Sequence, residues 1–156
     1  MLGAFGVGKT SLVRRYVNSI FSESYLTTVG VKIDKKSLVV GAEPVTLLLW
    51  DIAGEDETTT LRMSYLRGSA GYLVVADGTR PETFEVADSI RARVSAEIGP
   101  VPFLLLVNKA DLQDEWNFSW PPAMAAHDPA LAFRTSAKTG EGVEEAFLEL
   151  ARRIVR

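Results

Sequence analysis

The chain opens Met1-Leu2-Gly3-Ala4-Phe5-Gly6-Val7-Gly8-Lys9-Thr10, and the reading of these ten residues decides the fold. Gly3 and the triplet Gly8-Lys9-Thr10 stand at the spacing of a phosphate-binding loop, G-x-x-x-x-G-K-[ST]. Its glycines permit backbone conformations and close approaches that a Cβ would obstruct, so successive N–H groups can turn inward onto phosphate oxygens. Lys9 adds a cation and Thr10 a hydroxyl for Mg²⁺, and a helix starting there presents its positive end to the same anion. Such a loop joins a buried strand to a helix. Only Met1 and Leu2 precede it, which predicts that residues upstream of Met1 complete the strand. Phe5 is a second irregularity, a large apolar side chain among small ones.

Working outward, Leu12, Val13, Tyr16, Val17 and Ile20 recur at helical spacing, predicting a helix over 9–19. Residues 31–40 and 45–50 read as two antiparallel strands joined by Gly41-Ala42-Glu43-Pro44. Residues 57–67 predict a short helix ending before Gly68. The apolar runs 71–76 and 101–107 have the pattern of parallel strands covered on both faces. Between them a helix is predicted from the capping-box spacing of Thr79 and Glu82, through Phe84, Ala87, Ile90, Val94 and Ile98, to Gly99-Pro100. A short strand over 131–134 and a helix carrying Val143, Phe147, Leu150 and Ile154 complete the chain. Residues 113–130, with three prolines, Trp116, Trp120 and His127, fit least well; His127 reads as a loop residue. This alternation predicts an α/β fold with a mostly parallel sheet, one antiparallel edge hairpin, helices on both faces, and a ligand site at the carboxyl ends of the strands.

Composition narrows the function. The 156 residues, 47% hydrophobic, suit one domain. Seventeen basic against twenty acidic residues, net charge −3, give no electrostatic footprint for nucleic acid. Without cysteine there is no disulfide, thiolate metal site, cysteine nucleophile or prenylation site. No apolar run approaches the roughly 20 residues that span a bilayer, and a cytoplasmic protein is expected.

Three further motifs fall at predicted strand ends. Asp51-Ile52-Ala53-Gly54 follows the strand 45–50, where a carboxylate can hold Mg²⁺ through water and the Gly54 N–H can meet a terminal phosphate. Asn108-Lys109-Ala110-Asp111 closes the strand 101–107, and Ser136-Ala137-Lys138 follows the last one. The Asp111 carboxylate can accept two N–H bonds from the edge of guanine, a donor pair that adenine lacks.

With these motifs in this order, the chain resembles the Ras superfamily of small GTPases, its phrasing nearest the Rab branch: GVGKTSLVRRYV, TTVGV, WDIAGED, SYLRGSAGYLVVAD, NKAD and TSAKTGEGVEEAF. The resemblance covers essentially the whole chain apart from 113–130. It implies a P-loop NTPase fold of Ras type and a switch that binds Mg²⁺-GTP or GDP and hydrolyses GTP. It implies nucleotide contacts from Gly6, Val7, Gly8, Lys9, Thr10, Ser11, Phe21, Thr28, Gly54, Asn108, Lys109, Asp111, Ser136, Ala137 and Lys138, with Phe21 stacked on guanine, Tyr25 over the phosphates, Lys109 packed on base and ribose, and the Ala137 N–H offered to the guanine carbonyl. Metal contacts fall to Thr10, Thr28 and Asp51, and hydrolysis to Glu55, Gly54 and Lys9. Residues 22–34 and 54–67 become the switches that meet protein effectors. No lipid anchor is visible in the sequence.

Two positions depart from the family pattern. Phe5 stands where a small residue is usual, and Glu55 where Gln orients the attacking water. Glu55 can accept a hydrogen bond from water, but it lacks the amide donor and turns a negative charge towards phosphate. Nucleotide binding is therefore expected to be intact and hydrolysis slow. The alternatives are a GTP-binding module with negligible hydrolysis, acting as a constitutive interaction protein, and a P-loop ATPase or kinase.

Overall fold

The structure, a computed structural model, describes residues 1–17, 24–26, 31–54 and 62–156, with backbone alone at 24–26. A four-stranded parallel sheet forms its centre, in the order β1 (Leu2–Gly3), β5 (Tyr72–Asp77), β6 (Phe103–Asn108), β7 (Ala132–Arg134). Leu2 pairs with Val74, Val74 with Leu105, and Leu105 with Ala132. Successive strand residues face opposite sides, and each side is covered. Leu73, Val75, Leu104 and Leu106 pack against α1 (Lys9–Val17) and α3 (Val143–Ile154). Val74, Ala76, Leu105 and Val107 pack against α2 (Glu82–Ile98) through Ala87, Ile90 and Val94. Double coverage explains the continuous apolar runs: a polar residue at 73–76 or 104–107 would face a helix whichever way it pointed.

The expected α/β architecture is present. The antiparallel hairpin is formed by β3 (Lys32–Val40) and β4 (Glu43–Asp51), and a further short strand, β2 (Ser24–Leu26), extends it into a three-stranded sheet beside the parallel one. The Met1 amino group reaches across to donate to the Trp50 carbonyl at 2.9 Å. The β3–β4 connection is two residues long, not four. Gly41, at φ +63°, supplies the left-handed conformation a two-residue hairpin loop requires, and Pro44 lies in β4, opposite Val39, on an edge strand where its missing N–H costs no ladder bond.

The capping box predicted at Thr79 does not form. The Thr79 hydroxyl donates instead to the Asp77 carboxylate at 2.7 Å, a charge-assisted bond stronger than a neutral cap, and α2 begins later, at Glu82, after Pro81. Of the helix predicted over 57–67, Met63–Leu66 form a single 3₁₀ turn, ended near Gly68 at φ +80°; 55–61 lie outside the described residues. The irregular stretch 113–130 folds as short 3₁₀ turns around an aromatic cluster, with Phe118 4.8 Å from the Phe84 ring and 5.3 Å from the Trp116 ring.

Candidate functional site

The carboxyl ends of β1, β4, β5, β6 and β7 converge on one end of the molecule, and the described site residues come from the last residues of those strands, the turns after them and the first turn of α1. After β1 the chain wraps around the Lys9 ammonium, which donates to the carbonyls of Ala4 at 2.9 Å and Gly3 at 3.3 Å. Burial lowers the Lys9 pKa to about 8, against the opposing pull of the Asp51 carboxylate. Across the loop, the Thr10 hydroxyl donates to the Asp51 carboxylate at 2.6 Å. Thus the end of β4 and the start of α1 bring two hard oxygen donors together, a set that suits Mg²⁺. Gly54 presses on the same loop: a Cβ there would stand 2.6 Å from the Lys9 ammonium and 2.7 Å from the Ala4 carbonyl oxygen. No larger residue fits without displacing the lysine.

The second half of the site is a cavity of about 360 Å³ lined by Gly8, Ser11, Asn108, Lys109, Asp111, Leu112, Ala137 and Lys138. Asn108, 3% exposed, is its frame. Its amide donates to the Val7 carbonyl at 3.0 Å, and its side-chain oxygen accepts from the Thr135 hydroxyl and the Ala137 N–H, both at 3.3 Å. One side chain therefore locks the loop after β1 to the turn after β7. The Ser136 hydroxyl donates to one Asp111 oxygen at 2.7 Å, fixing the carboxylate's orientation. From α1, Arg15 donates to the carbonyls of Ala137 and Lys138, securing that turn from outside.

The fold thus brings together Gly6, Val7, Gly8, Lys9, Thr10, Ser11, Asp51, Gly54, Asn108, Lys109, Asp111, Ser136, Ala137 and Lys138. Phe21, Thr28 and Glu55 lie outside the described residues, as does the Tyr25 side chain. Phe5 projects from the loop with 66% of its surface exposed.

Sequence reading missed three residues. Asp77, fully buried at the end of β5, accepts from Lys109 Nζ at 2.7 Å, from Arg80 Nε at 3.2 Å, and from the Thr79 N–H and hydroxyl. Its signal was visible, an acidic residue ending an apolar strand, as at Asp51. Arg80 also reaches the Phe5 carbonyl at 2.8 Å. Trp116 donates from its indole to the Lys109 carbonyl at 3.2 Å, bracing a residue held at φ +70°; nothing in its local sequence marks that role.

Among the described residues no helix is long and apolar enough to cross a membrane. The family model for the Ras family matches residues 1–156. Among curated proteins, the chain is 35% identical over 164 aligned positions to "Ras-related protein Rab-7a" of Dictyostelium discoideum, covering 100% of this chain and 81% of that protein. It is 35% identical to "Ypt/Rab-type GTPase ypt7" of Schizosaccharomyces pombe, over 97% of this chain and 78% of the relative. Identity is also 35% to "Ras-related protein Rab-7b" of Mus musculus, over 98% and 79%.

Proposed function

The chain belongs to the Ras family and is a Rab-like small GTPase, a switch that binds Mg²⁺-GTP or GDP, hydrolyses GTP and engages effectors, and from that premise we propose how its residues divide the work and why turnover is slow. A non-hydrolysing interaction module, an ATPase or a kinase is not favoured by this membership. In the proposal, the backbone of residues 6–11 and the Lys9 ammonium hold the phosphates, Thr10, Asp51 and Thr28 hold the metal, and Asp111 reads the guanine edge. Asn108, Lys109, Ser136, Ala137 and Lys138 shape the base cavity, with Phe21 beside it. When bound, Mg²⁺ neutralises charge that builds up between the β- and γ-phosphates. The observation that carries these assignments is the Thr10–Asp51 contact at 2.6 Å beside the Lys9 ammonium, at one end of a turn system whose other end is the Asn108 cavity. The switches proposed to meet effectors are 22–34 and 54–67. A cytoplasmic location is part of the same proposal, because the nucleoside triphosphate is supplied inside cells.

Slow turnover is supported by two residues. Phe5 extends from the loop where an activator's arginine would enter, an insertion that accelerates such enzymes about 10³- to 10⁵-fold. Glu55, following Gly54, offers a carboxylate where an amide donor would help orient water. Single-turnover GTP hydrolysis tests this: replacing Phe5→Gly together with Glu55→Gln should accelerate the wild-type rate on the order of 10²-fold, the scale of one well-placed donor at a developing charge. An unchanged rate would overturn the proposal while leaving nucleotide binding in place.

A further inference from the structure

Arg80 lies in the turn between β5 and α2, with its side chain 38% exposed. Its guanidinium bridges two acceptors on different elements. Nε meets Asp77 Oδ2 at 3.2 Å, and Nη2 donates to the Phe5 carbonyl at 2.8 Å. Asp77 is itself immobilised by Thr79 and Lys109 and is fully buried, so the guanidinium is anchored before it reaches the loop. A planar fork with one arm fixed transmits direction as well as charge.

That direction matters because a trans peptide points its C=O and its N–H to opposite sides. By holding the Phe5 carbonyl, Arg80 fixes the plane of the Phe5–Gly6 peptide and turns the Gly6 N–H away from itself. Gly6 adopts φ +74°, a conformation glycine reaches without strain, and a Cβ there would come within 3.6 Å of Arg80 Nη2. The guanidinium therefore lies along one flank of the loop. The base cavity reaches Gly8 and Ser11. Gly6 is two residues further from it along the loop, which, with residues 3–10 read as the phosphate site, places it on the side of the phosphates beyond the first.

We propose that Arg80 is a positioning residue of the phosphate loop, which through its bridge from Asp77 to the Phe5 carbonyl aims the Gly6 N–H at the distal phosphates of the nucleotide. The bridge also links the two halves of the site, because Asp77 holds Lys109 as well. The inference rests on the reading of residues 3–10 as the phosphate site. It adds that the loop is held in shape by a charge outside its own motif.

The test compares GDP, GTP and GMP binding to wild type, Arg80→Ala and Arg80→Lys by competition against a fluorescent guanine nucleotide. Loss of one charge-assisted contact on the loop should weaken GDP and GTP on the order of tenfold in Arg80→Ala. GMP affinity should stay at the wild-type value, and the unfolding temperature without nucleotide should fall by no more than the few degrees that one partly exposed ion pair is worth. Arg80→Lys keeps the charge but cannot reach both acceptors, and should fall between the two. Parallel weakening of GMP and GDP would reduce Arg80 to a general structural contact, and unchanged GDP affinity in Arg80→Ala would remove its role altogether; either overturns the inference. Wild-type protein that bound no GDP would overturn the GTPase reading and this inference together, whereas tight wild-type binding with an indifferent Arg80→Ala sinks the inference alone.

Discussion

Asp77 shows how one residue can serve both halves of a site. Burial by itself raises a carboxyl's pKa, but the Lys109 ammonium and the Thr79 donors more than reverse this, and Asp77 ends below its ordinary 3.8. A carboxyl depressed in the folded state contributes stability that is complete above its unfolded value and fades as pH falls through the folded one. Asp77→Asn should therefore cost about 1.5–3 kcal/mol near neutrality, and the gap from wild type should close as the pH drops below 3.8. Urea unfolding of both proteins across that range measures it; a gap independent of pH would mean that the charge is not what matters. At this scale the convergence of the motif residues at one end of the molecule was legible from the sequence, because each motif ends an apolar strand. Arg80 and Trp116 were not, since their partners, Phe5 and Lys109, are chosen by how the chain folds back and not by any local pattern.

Among the elements, the two long helices behave as their apolar periodicity predicts, and α3 carries the most revealing contact. Its Phe147, 1% exposed, stacks on Tyr16 of α1 with ring centroids 3.9 Å apart and planes 4° apart. This contact joins the helix that follows the loop after β1 to the helix that follows the turn after β7. Truncation by Phe147→Ala should cost about 3–5 kcal/mol, a large share of the roughly 5–15 kcal/mol that stabilises a domain. Chemical unfolding should show a lower midpoint with an unchanged slope. An effect below about 1 kcal/mol would mean that the two helices pack independently. Helix α2 buries the face its periodicity predicts but begins at Glu82 and not at Thr79, because the buried Asp77 carboxylate outcompetes the capping geometry for the Thr79 hydroxyl. Likewise, the hairpin turn was read as twice its length because Pro44 looks like a turn residue until its place on an edge strand is known.

For the whole molecule, the site is an assembly of turns from five strands, so ligand binding and global stability are coupled. Nucleotide that binds only the folded state at a hundred times its Kd adds about 2.7 kcal/mol, a rise of roughly 5–10 °C in unfolding temperature for a domain of this size. Excess GDP with Mg²⁺ should produce that shift, chelation of Mg²⁺ should shrink it, and equimolar ATP should give little. Equal shifts with ATP and GDP would contradict the role assigned to Asp111. The sequence by itself determined the α/β alternation, the two-sided burial of β5 and β6, and the residue types at Lys9, Thr10, Asp51, Asn108 and Asp111, because periodicity and ligand chemistry are local constraints that short segments must satisfy. Only the tertiary structure decided that β2 joins the antiparallel hairpin, that Asn108 ties the Val7 carbonyl to the turn at Ala137, and that Asp77 and Arg80 brace the loop after β1 at Phe5. Those contacts join residues up to about a hundred positions apart, and their partners become neighbours only once the helices have closed over both faces of the sheet.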